Sequence, residues 1–261
     1  YPGHSVPRMH APPSRAGADL MADLSRAVAV ADIPVMTQAH VTDLYADTLG
    51  GVTGTRIERP DGGVEYIGCE VLILACNGFG GNADMVQTHI PDMADALYFG
   101  HQGNQGDAIV WGQALGAETR HLGSYQGHGS VAQPHGILIS WALMMQGGLQ
   151  INCDGKRFSN EHQGYSEQAR RVIAQPGGTV WNLFDARLLH LGRGFEDFRQ
   201  AEALGAIQTA HTIAELAKLI SVPDAHLAET LAQVARYASG TDQDVFGRDF
   251  TQTPILEPPY Y

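Results

Sequence analysis

A chain of 261 residues, 44% hydrophobic and 17% charged, has enough apolar material for one large domain or two smaller ones without help from disulfides. Its formal net charge of −12, with no run of Lys or Arg, argues against a nucleic-acid surface, and no apolar stretch reaches the roughly 20 residues needed to span a bilayer. The three cysteines, Cys69, Cys76 and Cys153, form no metal spacing and point to a reducing, cytoplasmic compartment.

In chain order, Gly17 to Ala31 reads as a helix, with Leu20, Leu24, Ala27, Val28 and Ala31 as an apolar stripe at spacings of three and four. Pro34 stops it and an extended segment follows. Gly50-Gly51 and Asp61-Gly62-Gly63 are turn signals, so residues 36 to 75 read as a small meander leading into a strand. That strand is the apolar run Val71-Leu72-Ile73-Leu74-Ala75, read as buried. It ends in Cys76-Asn77-Gly78-Phe79-Gly80-Gly81-Asn82, after which Ala83-Asp84-Met85-Val86 opens a helix. A strand, a tight glycine turn and a helix let backbone come close to a nucleotide. Asp107 to Gly116 reads as a further helix. Later, Thr212-Ile213-Ala214-Glu215 has the form of a capping box, and Asp224 opens a helix with Leu227, Leu231, Val234 and Ala238 on one face. No histidine pair has the spacing of a helical metal site and no His-Glu-x-x-His occurs, so no metal is expected.

Three segments carry a resemblance. They are Glu70 to Asn82, then Gly103-Asn104-Gln105-Gly106-Asp107-Ala108-Ile109, then Gln146-Gly147-Gly148-Leu149-Gln150-Ile151-Asn152 running on to Gly155-Lys156-Arg157-Phe158-Ser159-Asn160-Glu161. In order and spacing the chain resembles the flavoprotein family of fumarate reductases and succinate dehydrogenases, which includes 3-ketosteroid dehydrogenases. The close at Pro254-Ile255-Leu256-Glu257-Pro258-Pro259-Tyr260-Tyr261 is similar to the family's P-I-x-x-P-P-F-Y-A. The resemblance implies an α/β and α+β architecture: residues 1–121 as part of an FAD-binding domain with βαβ and meander elements, 122–250 as an inserted α+β cap, and 251–261 as a return towards the FAD domain. The family opens on a Gly-x-Gly-x-x-Gly fingerprint that is not found near this start, which implies an internal piece of a longer polypeptide, inactive alone.

The implied cofactor is FAD, met by the backbone at Ala75, Cys76, Asn77 and Gly78 and at Asn104, Gly106 and Asp107, with Val41 on a strand near the adenine. The glycine clusters at 78–81 and 103–106 are then read as close approaches to the ligand. Cys76 stands where relatives have Thr, and its alternative reading is a small apolar filler. Gly3-His4-Ser5-Val6-Pro7-Arg8 is similar to the family's G-H-S-x-x-R, where Arg8 either positions the cofactor or sits at the surface.

The resemblance places the substrate site in the cap. His128, in Tyr125-Gln126-Gly127-His128-Gly129, faces the substrate or is a loop histidine without a role. The Thr-Glu pair of fumarate reductases falls on Ser140 and Trp141, and their clamping Arg falls on Tyr165. Tyr cannot hold a dicarboxylate as the forked guanidinium does. Fumarate and succinate are therefore doubtful substrates, and Trp141 and Tyr165 suggest a more apolar pocket. In 3-ketosteroid dehydrogenases a Tyr follows the same Asn-Glu as N-E-x-x-P-Y and acts as a base. Asn160-Glu161-His162-Gln163-Gly164-Tyr165 has that spacing with Gly for Pro, so Tyr165 is the candidate acid–base residue, or else a core or lid aromatic. His162, titrating near neutrality, is a possible second proton carrier. Glu161 borders the pocket, and its expected work with Arg157 is structural. The implied activity is FAD-dependent oxidation or reduction of a carbon–carbon bond beside a carbonyl or carboxyl group, on a small molecule, with a separate electron donor or acceptor. The rival readings are an isolated non-catalytic domain and a flavin-binding protein without redox turnover.

Overall fold

The apolar spacing from Gly17 onward does produce a helix, α1 (Gly17–Val30), in the computed structural model, which describes residues 5–6 and 10–261. No residue of α1 is buried, and Leu20, Met21 and Leu24 are exposed. The period is that of an amphipathic helix, but no surface among the described residues covers its stripe.

The chain divides into a first unit, Ala18–Tyr125, and a second unit, Gln126–Tyr261 with the described residues up to Gly17. The first unit carries the expected meander: β1 (His40–Ala46), β2 (Val52–Glu58) and β3 (Val64–Gly68) in antiparallel order β1-β2-β3. Asp47 Oδ1 closes the first turn, accepting the amides of Leu49 at 2.8 Å and Gly51 at 2.9 Å. Asp61 Oδ1 closes the second, accepting Gly63 N–H at 2.9 Å.

The apolar run Val71–Ala75 is a correction. It forms no strand, and its side chains are not buried: Val71 is 79% and Ile73 84% exposed. Branched apolar residues favour a strand only where a neighbouring strand takes up their N–H and C=O groups, and the meander ends its pairing at Gly68. The helices on either side of the second glycine segment are present as α2 (Ala83–His89) and α3 (Asp107–Ala114).

The second unit holds the main core. A short hairpin, β4 (Val131–Ala132) with β5 (Ile137–Leu138), precedes α4 (Ala142–Met145) and β6 (Leu149–Ile151). After α5 (Tyr165–Ile173) comes β7 (Trp181–Leu183), antiparallel to β6 with Leu149 opposite Leu183. Four helices complete it: α6 (Ala186–Gly192), α7 (Glu196–Ala203), α8 (Ile213–Leu219) and α9 (Asp224–Ala238). Thr212 caps α8, its hydroxyl accepting Glu215 N–H at 3.1 Å. Glu215 reaches back to His211 N–H, one residue before the usual partner. Trp141, Leu143, Leu149, Leu188, Phe198 and Leu227 are among the residues of the core. The final residues join this unit: Tyr261 exchanges backbone bonds with Phe184, and Tyr260 with Ala210.

Leu149 is fully buried at the centre of this core. Leu149→Ala is expected to destabilise the protein by about 2–5 kcal/mol through lost burial and the cavity left behind, read as a lower urea midpoint. An unchanged midpoint would contradict this placement.

Candidate active site and cofactor loops

The second unit is organised around one buried carboxylate. Glu161 Oε1 accepts from Arg157 Nε at 2.9 Å and from the Gln150 amide at 3.2 Å. Its Oε2 accepts from Arg157 Nη2 at 2.7 Å and from Arg248 Nη1 at 3.0 Å. Arg157 also donates to Asp244 at 2.7 Å, and Arg248 donates to the carbonyls of Gly148 (2.9 Å) and Met144 (3.2 Å). Two guanidiniums and two carboxylates thus form a charge-balanced cluster, and Phe250 lies under both arginines. Burial alone would push the Glu161 carboxyl up. The hydrogen bonds and charge of Arg157, with the charge of Arg248, overcome it and hold the group below the usual carboxylate range. The structural pairing expected of Arg157 and Glu161 is present. Arg248 and Asp244, far along the chain, were not singled out by any motif.

Three of the candidate substrate residues meet beside this cluster. His128 stacks on Tyr165 with ring centroids 5.2 Å apart, and Trp141 stands edge-on to His128 at 6.0 Å. Trp141 itself is only 2% exposed and donates its indole N–H to the Glu161 carbonyl at 3.1 Å, so it belongs to the core and supports His128. Gln126, not identified from the sequence as a site residue, donates its amide to the Tyr165 hydroxyl at 2.7 Å. The His128 loop is strapped to the start of α5. Gly127 N–H donates to Ser166 Oγ at 2.9 Å, and Gly129 N–H to the Tyr165 carbonyl at 3.1 Å. From the other side, the buried Gln150 amide donates to the Gly129 carbonyl at 2.7 Å. Gly164, before Tyr165, has φ 115°. Proline cannot adopt that angle, so the approach to Tyr165 differs from one built on N-E-x-x-P-Y.

Neither histidine titrates near neutrality, against the expectation for His162. Burial pushes the His128 imidazolium down to about 4, and the Ser130 N–H donates to its Nδ1 at 3.2 Å, which leaves the proton of the neutral ring on Nε2. Burial and the charge of Arg248 push His162 down to about 4, and its Nε2 is buried without a hydrogen-bond partner among the described residues. Ser140 is half-buried, its hydroxyl accepting the Ala142 amide at 3.3 Å. Glu161, at 1% exposure, is a structural anchor rather than a pocket wall.

In the first unit, the two segments expected to meet the cofactor are hydrogen-bonded to each other. Gly81 N–H donates to the Asn104 carbonyl at 2.9 Å, Asn82 Nδ2 donates to the Gln105 carbonyl at 3.0 Å, and Gln105 Nε2 donates to the Gly81 carbonyl at 3.0 Å. Ala75, Cys76 and Asn77 are exposed. Asn77 is left-handed (φ 63°), and its Oδ1 accepts the Gly78 N–H. A Cβ at Gly78 would meet no protein atom within 4 Å, so the backbone there is open to approach by a ligand. The other glycines have internal reasons: a Cβ at Gly81 would lie 2.6 Å from the Gln102 carbonyl, and one at Gly106 2.9 Å from Phe79 Cβ. The expectation that whole clusters mark close approach to a ligand therefore narrows to Gly78. Asn104 and Asp107 are half-buried, with Asp107 opening α3, and Val41 lies on β1 opposite Ile57. The exposed backbone of 75–78, next to the pinned 104–107 segment, fits a dinucleotide cofactor. His4 and Arg8 lie outside the described residues.

Two outcomes follow for stability. Glu161→Ala leaves Arg157 and Arg248 buried without their shared counter-charge, and is expected to cost about 3–5 kcal/mol in urea unfolding; a loss of less than about 1 kcal/mol would refute the anchoring role. Because His128 and His162 have folded values near 4, below the unfolded value of about 6.5, the unfolded chain takes up protons first as pH falls. The stability held by the neutral rings is present above about pH 6.5 and lost as pH drops towards 4. Urea midpoints across that range test this, and His128→Phe should flatten the slope.

A family model described as FAD binding domain matches residues 2–261. The probable fumarate reductase Ifc3 of Shewanella frigidimarina (strain NCIMB 400) is 26% identical over 261 residues, covering 99% of this chain and 44% of that protein. The 4-oxocyclohexanecarboxylate 2-dehydrogenase of Sinomonas cyclohexanicum is 28% identical over 217 residues, covering 76% and 37%. The open conformation of a flavocytochrome c3 fumarate reductase superposes with a TM-score of 0.75 at 24% identity, covering 97% of this chain and 45% of that one. The chain spans less than half the length of these relatives. With a single family model matched across almost its whole length, on a mixed α/β fold shared with a flavoprotein, this chain belongs to the FAD binding domain family.

Proposed function

We propose that the protein carrying this chain is an FAD-dependent oxidoreductase that acts on a carbon–carbon bond beside a carbonyl group of a partly apolar small molecule, and not on fumarate or succinate. The observation that carries this reading is Tyr165, a phenol side chain where a clamping arginine is expected, stacked on a histidine that is neutral at pH 7. The nearby arginines do not replace the clamp. Arg157 and Arg248 are taken up by Glu161, Asp244 and backbone carbonyls. An unpaired carboxylate brought into such a site would lose several kcal/mol of hydration without repayment, by roughly the penalty for burying a lone charge. The relative named as a 4-oxocyclohexanecarboxylate 2-dehydrogenase supports a cyclic ketone as the substrate class, its named substrate carrying one carboxylate beside the ring ketone rather than the two of fumarate or succinate.

In this reading the first unit holds FAD through the backbone of Ala75, Cys76, Asn77 and Gly78 and through Asn104, Gly106 and Asp107, with Val41 near the adenine. When bound, FAD supplies the acceptor or donor of the hydride. Residues of the second unit handle the proton. Tyr165 takes or gives it at its hydroxyl oxygen, which Gln126 orients, and His128 presents its Nε2–H as a neutral donor to the substrate carbonyl oxygen. Ser140 and Trp141 shape the wall behind His128. The domain roles follow: residues 1–121 as part of the cofactor domain, 122–250 as a substrate-covering cap, and 251–261 as the return towards the cofactor domain. An electron donor or acceptor completes the cycle. The three unpaired cysteines support a reducing compartment, and no helix among the described residues is long and apolar enough to cross a membrane.

Tyr165→Phe tests the assignment. It removes the proton-carrying oxygen and keeps the ring stacked on His128. The expected result is a kcat lower by about 10²–10⁴-fold, the range for losing one general acid or base, with FAD content unchanged. A kcat within about threefold of wild type, too small for that loss, would remove Tyr165 from the chemistry.

A further inference from the structure

We propose that Tyr98 is a positioning residue for the cofactor, the wedge that sets the two FAD-facing segments against each other. This rests on the assignment of residues 75–78 and 104–107 to FAD. Tyr98 precedes the second segment in the chain, and it touches Gly80, two residues beyond the first segment, and Asn104 in the second. On one side its ring lies over Gly80: a Cβ there would come 2.7 Å from Tyr98 Cζ. On the other side a Cβ at Gly100 would come 2.5 Å from the same atom. Contacts this close between non-bonded carbons do not occur, so both positions need glycine as long as the ring is present. The hydroxyl then accepts from Asn104 Nδ2 at 2.7 Å, which fixes the side chain of a proposed cofactor residue.

The remaining bonds lock what the ring spaces. Gly81 N–H donates to the Asn104 carbonyl, Asn82 Nδ2 to the Gln105 carbonyl, and Gln105 Nε2 to the carbonyls of Gly81 and Gln102. Asn82 Oδ1 meanwhile accepts Met85 N–H at 3.1 Å and caps α2. The ring is half-buried, and its neighbours are loop backbone and an amide. A tyrosine that only filled a core would not need a glycine on each side and its hydroxyl on Asn104. The glycines at 80 and 100 thus answer to Tyr98 rather than to the ligand, and Tyr98 acts on the ligand through the loop at Gly80 and through Asn104.

The experiment is FAD affinity of the intact protein, measured by quenching of flavin fluorescence, for wild type, Tyr98→Phe, Tyr98→Ala, Gly80→Ala and the double variant Gly80→Ala/Tyr98→Ala. Far-ultraviolet circular dichroism checks folding. Tyr98→Phe, which keeps the wedge and loses one hydrogen bond, should weaken FAD binding by about three- to tenfold. Tyr98→Ala should weaken it by more than about thirtyfold, since both segments lose their spacer. Gly80→Ala should impair binding in the wild-type background and add nothing in the Tyr98→Ala background, because the clash it creates is with the ring that has been removed. Equal affinity in wild type and Tyr98→Ala, or an equal penalty for Gly80→Ala in both backgrounds, would overturn the inference and leave the FAD assignment standing. A wild-type protein that takes up no FAD would overturn both.

Discussion

The second unit depends on the Glu161 carboxylate, held between Arg157 and Arg248 out of contact with water. A lone buried carboxylate is among the least tolerable groups in a protein interior. Here four donors on three residues satisfy it, and each residue belongs to a different part of the unit: Gln150 on β6, Arg157, which gives two of the four, on the turn after it, and Arg248 far along the chain beyond α9. Arg248 in turn gathers the carbonyls of Met144 and Gly148, and the Glu161 carbonyl receives the Trp141 indole. The cluster thereby fixes where Trp141 stands, and through it the edge against which His128 packs. The chemistry proposed for Tyr165 rests on that chain of contacts. The same cluster pairs both guanidiniums with the Glu161 and Asp244 carboxylates and with backbone carbonyls, and leaves Arg248 Nε, buried, as the one guanidinium nitrogen of Arg248 without a partner among the described residues.

The first unit has a different economy. Few of its side chains are buried, and Phe79 and Ile57 are its only hydrophobic residues that are, among those described. Its order comes from backbone and amide hydrogen bonds between two glycine-rich segments. Glycine serves there in two ways. At Gly78 it leaves the backbone open, while at Gly80, Gly81 and Gly106 it makes room for the protein's own ring, carbonyl and side chains.

Local patterns were well legible in the sequence. The extent of α1, the starts of α8 and α9, the Thr212 cap and the turns of the meander all follow from spacing, capping residues and turn chemistry within a few positions. The Val71–Ala75 strand was not, because an apolar run states a preference for burial and cannot state whether a partner is at hand. The pairing of Arg157 with Glu161 was legible as a motif. The contributions of Asp244 and Arg248 were not, since they join across 87 residues in a contact that no local spacing encodes. Tyr165 was found by its distance from Asn160-Glu161, whereas its stacking on His128 and its bond from Gln126 needed the fold. His162 was misjudged for the same reason: sequence gives the ordinary imidazole range, and only burial reveals a value near 4.

The central claim is that Tyr165 stacked on a neutral His128, with Arg157 and Arg248 paired to Glu161 and Asp244, selects a ketone over a dicarboxylate. The most direct measurement is anaerobic absorbance of the flavin in the intact protein, mixed in turn with a cyclohexanone carrying an oxidisable carbon–carbon bond beside its carbonyl, with succinate, and, after chemical reduction, with fumarate. The account predicts loss of the oxidised flavin band with the ketone, and no change with succinate or fumarate beyond the buffer control. Rapid reoxidation of the reduced flavin by fumarate would contradict it, since that would require a carboxylate clamp the present arrangement of Tyr165, Arg157 and Arg248 does not provide.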